Sequence, residues 1–317
     1  MKYLILVLLL LLNGCVKENC ENEKIKSSLN SHFQIFSGNR PIILAGDTQT
    51  TSDWEFWREN NDGIRKKIFA QIAEQNPGCF ILLGDAVFDG SSKSEWDFFD
   101  EDILPIRKKG IPVYSVLGNH EYFGDNKTAL NNYFSEYREI KKSKYYSLTY
   151  GKNAFLMLNS NFDEMSKSDI SMQNRWFKET LEKFNLDETI KSVFVITHHP
   201  PFTNSKAVSE NKDVQKYFLD SYFSSPKTKM FFSGHCHSFE HFIKAGKHFI
   251  VSGGGGGPRQ EVETDPEKMK FKDEFKGTKI RPFHYCRLVN LDKDAYLEMD
   301  LLDEKSGEWK AGYKIML

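Results

Sequence analysis

Gly118-Asn119-His120-Glu121 follows the apolar run Ile111 to Leu117 and stops it abruptly. The run reads as a buried strand, and the glycine after it lets the backbone turn without a Cβ clash. An amide oxygen, an imidazole and a carboxylate then stand side by side where the strand ends. The same arrangement recurs along the chain. Ile42 to Ala45 ends at Gly46-Asp47, and Cys79 to Leu83 ends at Gly84-Asp85. Ser192 to Ile196 runs into His198-His199, and Met230 to Phe232 into Gly234-His235-Cys236-His237.

Helical patterns separate these strands. Ile64 to Ala73 places Ile64, Ile68 and Ile72 on one face and stops before Pro77-Gly78. An aromatic-rich helix is expected from Glu95 to Leu104 and another from Met172 to Phe184. Ala154 to Leu158 and Phe249 to Val251 are further strands, and Tyr285 to Val289 with Tyr296 to Leu302 resembles a hairpin. Strands alternating with helices imply sheets covered by helices, an α/β class. With 317 residues, no internal repeat and no clean linker, a single catalytic domain over 39–317 is expected.

The chain begins differently. Met1-Lys2 and the apolar stretch Leu4 to Leu12 have the form of a secretory signal. The stretch is shorter than the about 20 apolar residues of a membrane span. Leu12-Asn13-Gly14-Cys15 closes it in the manner of a bacterial lipobox, so residues 1–15 are expected to be a lipoprotein signal and Cys15 the lipidated residue. A plain secretory cleavage nearby is the alternative. Residues 16–38, polar and poor in apolar positions, read as a tether. The protein is therefore expected in the periplasm or at the cell surface, anchored to a membrane through Cys15. The cysteines have no zinc-finger or redox spacing, and a net charge of -1 leaves no nucleic-acid footprint.

Ligands of open α/β sheets gather beyond the carboxyl ends of strands. Those ends supply Asp47 with Gln49, Asp85, Asn119 with His120, His198-His199, and His235 with His237. Oxygen and imidazole donors without a thiolate pair suit Zn, Mn or Fe in a hydrolytic site better than a structural zinc. A lone Asp after a strand ordinarily caps a helix, and a lone loop His is ordinarily solvated. Here five of the nine histidines fall at strand ends, which sets the group apart.

Gly46-Asp47, Gly84-Asp85, Gly118-Asn119-His120-Glu121, His198-His199-Pro200-Pro201 and Gly234-His235-Cys236-His237 resemble, in order, the motifs of the calcineurin-like metallophosphoesterases. The resemblance covers residues 40 to 255 and is nearest in layout to the purple-acid-phosphatase-like members. It implies a four-layer α/β/β/α sandwich of two mixed sheets. It also implies two divalent or trivalent metal ions, with identity among Mn, Fe and Zn left open. By position, Asp85 would bridge the metals, Asp47 and His237 would bind the first, and Asn119, His198 and His235 the second. A hydroxide held between the metals, about 3.5–4 Å apart, would then attack phosphorus. His120 would stabilise the phosphoryl oxygens or protonate the leaving group, with Glu121 orienting it and His199 beside the ligands.

Two positions depart from the better-known patterns. Asp47-Thr48-Gln49 replaces the common Asp-x-His, so a neutral amide stands where an imidazole would complete the first metal. Phe88 occupies the place of the iron-ligating tyrosine of purple acid phosphatases, so no iron–phenolate bond is expected. Ser252 and Gly253 to Gly257 read either as a loop approaching the substrate or as a flexible turn, and they lack the ending of a P-loop. Trp54, Phe56 and Trp57 read as a packed helix start or as a pocket wall. Cys236 is not expected to ligate, His241 is placed at the rim of the site, and His32, His248 and His284 are assigned to surface or core.

The expected activity is hydrolysis of a phosphoester substrate, with monoesters first. A phosphodiesterase acting on cyclic nucleotides or lipid head groups is the alternative within the same site. The competing class is a non-catalytic, surface-anchored binding protein, favoured only by Gln49.

Overall fold

The computed structural model describes residues 32–35, 40–52, 55, 59–291 and 293–317. Cys15, Cys20, Trp54, Phe56 and Trp57 lie outside them, and with them the expected signal and lipid site.

One sheet has seven strands: β1 (His32–Ile35), β5 (Tyr146–Tyr150), β6 (Asn153–Met157), β7 (Ser192–Ile196), β8 (Thr228–Ser233), β9 (Phe239–Lys244) and β10 (Lys247–Ser252). They lie in the order β1-β5-β6-β7-β8-β10-β9. The other sheet has six: β2 (Ile42–Ala45), β3 (Cys79–Leu82), β4 (Val113–Ser115), β11 (His284–Val289), β12 (Tyr296–Leu302) and β13 (Trp309–Met316). Their order is β13-β12-β11-β2-β3-β4. Both sheets are mixed. β2, β3 and β4 are parallel, as are β6, β7 and β8, while β11 and β12 form the expected antiparallel hairpin.

Alternation along the central strands explains the layers. Phe155, Met157, Phe194, Ile196 and Phe232 join Ile43, Leu44, Phe80 and Leu82 in one core shared by the two sheets. The neighbours of opposite parity, Leu156, Val193, Val195 and Phe231, pack instead against helices α4 (Lys167–Leu186) and α5 (Lys212–Ser224). Strands buried on both faces read as continuous apolar runs because period two puts one side chain into each core. Helices α1 (Asp62–Gln75) and α2 (Lys93–Lys108) cover the six-stranded sheet through Ile68, Phe69, Ile72, Phe99 and Ile103. Helix α3 (Asn126–Glu136) lies beside them. The α/β/β/α sandwich follows.

Three boundaries differ from expectation. The tether assigned to residues 16–38 contributes β1, which pairs parallel with β5 at the edge of the seven-stranded sheet. Helix α2 passes its Pro105 and continues to Lys108, because Ile103 and Ile106 are both fully buried and hold the last turn down. The polar stretch Asp125 to Lys144, for which no helix is expected from the sequence, begins with α3, whose Asp125 side chain caps Thr128 N.

Parallel strands β2, β3, β4, β7 and β8 all point their carboxyl ends to one edge of the sandwich. The five polar motifs therefore meet there, three from one sheet and two from the other.

Candidate metal centre

The strand-end loops are bound together by backbone before any side chain is considered. Asp47 N donates to Gly84 O, Thr48 N to Asp85 O, and Gly234 N to His198 O. Behind the first loop, the buried Arg65 donates to Thr48 O and is paired with the buried Asp102. Gly253 to Gly257 are all buried; Gly255 N and Gly257 N donate to Gly46 O and Asp47 O. A Cβ at Gly253 would strike Asp47 Oδ2, and one at Gly254 would strike the His284 ring. The glycine run is thus a packed wall behind Asp47, neither a flexible turn nor a substrate cradle.

Four site residues adopt left-handed backbone: Asp47 (φ 58°), Asp85 (φ 54°), His235 (φ 70°) and His237 (φ 44°). Non-glycine residues seldom do so, and such outliers cluster where a side chain must be aimed. The result is a tight set of donors. Asp47, Asp85 and His237 offer ligand atoms all within 4.8 Å of one another, and so do His198, His199 and His235. His198 Nε2 lies 3.1 Å from Asp85 Oδ2, 3.1 Å from Asn119 Oδ1 and 3.2 Å from His235 Nδ1. Asp85 therefore stands between the two groups, as the bridging assignment requires.

Backbone carbonyls fix which imidazole nitrogen faces the site. A carbonyl only accepts, so His198 Nδ1–H donates to Leu83 O, His237 Nδ1–H to Pro258 O, and His120 Nδ1–H to Phe88 O. In each ring Nε2 is left to face inward, the arrangement that orients metal-ligating histidines. His199 differs. Ser160 Oγ accepts from His199 N and lies 2.9 Å from its Nδ1, and a hydroxyl, unlike a carbonyl, can serve that nitrogen as donor or acceptor. His199 stands against His235, with the two ring centroids 4.5 Å apart.

The electrostatics favour cations. Asp47, Asp85 and Glu121 are all but fully buried, and among the described residues the ion pairs of Asp47 and Asp85 are with histidines alone. Burial, with Asp85 and Glu121 nearby, pushes Asp47 well above the usual carboxylate range. Burial opposes ionisation of Asp85 too, but the His198 and His120 rings outweigh it and hold Asp85 well below that range. Burial lowers His198, and the Asp85 and Asp47 carboxylates overcome it, raising the ring to about 9. Burial brings His237 down to about 4, leaving it neutral with its Nε2 lone pair available. One Nε2 facing three donor atoms beside buried acids is a poor hydrogen-bond arrangement and a good fit for cations held by oxygen and imidazole.

Gln49 reaches the first group, where its Nε2 lies 3.0 Å from His237 Nε2 and its buried Oε1 has no partner. Turning the amide over puts the oxygen toward the ion, so the residue fits as a weak neutral ligand. Gln49→His is expected to raise the affinity of this group for Mn or Zn by about tenfold, read by metal titration of the stripped protein. An unchanged affinity would show that position 49 does not reach the ion.

Two expectations need correction. Glu121 does not touch the His120 ring: its carboxylate accepts from Gly118 N, Asp85 N and Ala86 N at 2.6, 3.0 and 2.7 Å. It clamps the second and third loops together, while Phe88 O orients His120. The Phe88 and Phe123 rings flank His120, with centroids 5.2 and 4.3 Å away, so the position of the purple-phosphatase tyrosine is a packing position here. His241 is not at the rim; it bonds to Tyr313 Oη and to His248. His284 is core, bonded to Ser252 Oγ. Cys236 is buried and faces Thr203, away from the ligand set. Sequence reasoning missed Ser160 and Asn161, although Asn159-Ser160-Asn161 also follows a strand end, that of β6. Asn161 ties this loop to Leu117 O.

The chain is similar to known proteins. The family model described as calcineurin-like phosphoesterase matches residues 40–239. The chain is 26% identical to purple acid phosphatase 22 of Arabidopsis thaliana over 182 residues, covering 55% of this chain and 41% of that protein. It spans about half the length of the curated relatives it matches. A purple acid phosphatase from yellow lupin (Lupinus luteus) seeds superposes with a TM-score of 0.63 at 16% identity, over 88% of this chain and 54% of that one. A dimetal phosphatase from Danio rerio gives 0.56 at 14%, over 88% and 99%. With the family-model match covering more than half its length, the chain belongs to the calcineurin-like phosphoesterase family.

Proposed function

We propose that the protein is a metal-dependent phosphoester hydrolase whose substrates are phosphomonoesters. The observation that carries the reading is the meeting of His198 Nε2, Asn119 Oδ1, Asp85 Oδ2 and His235 Nδ1 within 3.2 Å of His198. The likeness to purple acid phosphatases supports the choice of monoesters.

Asp47, Gln49, Asp85 and His237 would hold one metal ion, and Asp85, Asn119, His198 and His235 the other. Bound Mn, Fe or Zn would supply the Lewis acidity that activates water and offsets phosphoryl charge. The chain's own groups do the rest. His120, its Nδ1–H committed to Phe88 O, turns Nε2 toward the ester and gives a proton from it to the departing alcohol oxygen. Phe88 and Phe123 pack at a tilt against that ring and reduce its contact with water. With Nδ1 accepting from Ser160 Oγ, His199 would offer Nε2–H to a phosphoryl oxygen, and Glu121 holds the Asp85 and Asn119 loops in register.

Protein loaded with Mn is expected to hydrolyse p-nitrophenyl phosphate faster than the bis ester. His120→Ala is expected to slow that reaction by about a hundredfold to ten-thousandfold. Faster turnover of the bis ester would make the enzyme a diesterase. No turnover with Mn, Fe or Zn, together with less than one bound metal per chain, would leave a binding protein instead.

The proposal also places the enzyme outside the cytoplasm, held to a membrane by lipid on Cys15; its support is the Leu4–Cys15 sequence alone. Cys15→Ala is expected to move the protein from the membrane fraction to the soluble fraction. A variant that still pellets with membranes would remove the anchor from the account.

A further inference from the structure

Beside the second ligand group, the loop after β6 and the start of α5 enclose a cavity of about 180 Å³. Asn119 and His199 form the wall nearest the metal ligands, so the space is continuous with the site. Phe123 and Phe162 line it, and Phe123 is 41% exposed although its ring packs at a tilt against His120. Around them stand the carboxylates of Asp163, Glu164 and Asp213, with no Lys or Arg among the lining residues. Two lysines approach from outside: Lys216, 3.9 Å from Asp213, and Lys144, 5.9 Å over the Tyr122 ring. Neither pairs with Asp163 or Glu164, and the Asn126 amide donates to Glu164 Oε2 at 2.6 Å.

A site for an ester carrying a second phosphate or a carboxylate needs basic side chains beside the reacting group. This wall offers the opposite: carboxylates that repel a second anion and one exposed aromatic ring, that of Phe123, whose face attracts a cation, with the buried Phe162 behind it. We propose that this cavity holds the alcohol portion of the ester and selects alcohols bearing an organic cation, an amine or a quaternary ammonium, over neutral or further-anionic ones. The assignment rests on the phosphoester hydrolase reading above and adds to it the class of leaving group.

The test compares kcat/KM of the full Mn-loaded chain on three probes. One is phosphocholine, the second is the same ester with a neutral carbon in place of the ammonium nitrogen, and the third is glycerate phosphate, whose alcohol carries a carboxylate. Phosphocholine is expected to exceed the neutral isostere by about tenfold, and the carboxylate ester to be the poorest. Asp163→Asn combined with Glu164→Gln keeps size and hydrogen bonding and is expected to bring the ratio of phosphocholine to its isostere close to one. Phe123→Leu, which removes the ring alone, is expected to reduce the same ratio. Because each readout is a ratio within one protein sample, partial unfolding of a variant does not imitate the effect. Turnover of all three esters without preference overturns this inference and leaves the hydrolase reading standing. Absence of turnover on every ester overturns both.

Discussion

Asp85→Asn is expected to yield a folded protein that binds neither metal and hydrolyses esters at least about a thousandfold more slowly. The carboxylate lies 3.1 Å from His198 Nε2 and also belongs to the group formed with Asp47 and His237, so one substitution disables both sites. The amide oxygen can still accept from His120 N, as Asp85 Oδ1 does at 3.0 Å, so the loop keeps its shape. Removing this acid relieves repulsion on Asp47 and Glu121 but takes away the carboxylate that the His198 and His120 rings hold well below its usual range, so the metal-free variant should still fold and melt below the metal-free parent. Elemental analysis, turnover and a thermal melt check the three parts. Two metals retained with near-parental turnover would mean that Asp85 is not shared.

A single methyl at Gly118 should do nearly as much. Gly118 has no positive φ, so alanine meets no backbone penalty there, yet its Cβ would collide with Asp85 Oδ1 and lie 2.5 Å from Asp85 N. Gly118→Ala is expected to keep its far-UV spectrum, to hold less than one metal per chain and to lose about a hundredfold in turnover. Gly63→Ala is the control: nothing lies within 4 Å of a Cβ there, and within α1 the change should stabilise by about 0.5–1 kcal/mol. Equal metal content in the two variants would show that the close approach of Gly118 to Asp85 is dispensable.

The site was the most legible part of this chain because its chemistry is written in residue type. An imidazole or carboxylate straight after an apolar run is visible without coordinates, and parallel strands bring such ends together. What the sequence could not carry was the work done by backbone. Glu121 has the composition of a general acid's partner, and only the fold reveals three amides converging on it. The carbonyls of Leu83, Phe88 and Pro258, which decide the inward nitrogens, have no residue signature at all. Elements at the margins failed for another reason. β1 and β13 are edge strands, and α3 buries only Ala129 and Tyr133, so each shows at most half of its period. Helix α5 does carry a helical signal, since Val214, Phe218 and Tyr222 recur every four residues, but the stretch is short. The glycine run misled because polyglycine suggests freedom, whereas here each missing side chain is space occupied by Asp47, Thr48, Arg65 or His284.

The left-handed turns at Asp47, Asp85, His235 and His237 carry a consequence for how such a chain drifts over generations. Each of these L-residues sits where glycine would be at ease, at a cost of about 1 kcal/mol or more per position. Selection for catalysis and selection for robustness therefore pull in opposite directions at the same four codons. Once hydrolysis is no longer required, exchanging an acid or an imidazole there for glycine relaxes the backbone. An inert descendant, sturdy and useful only for its surface, is a short mutational walk away.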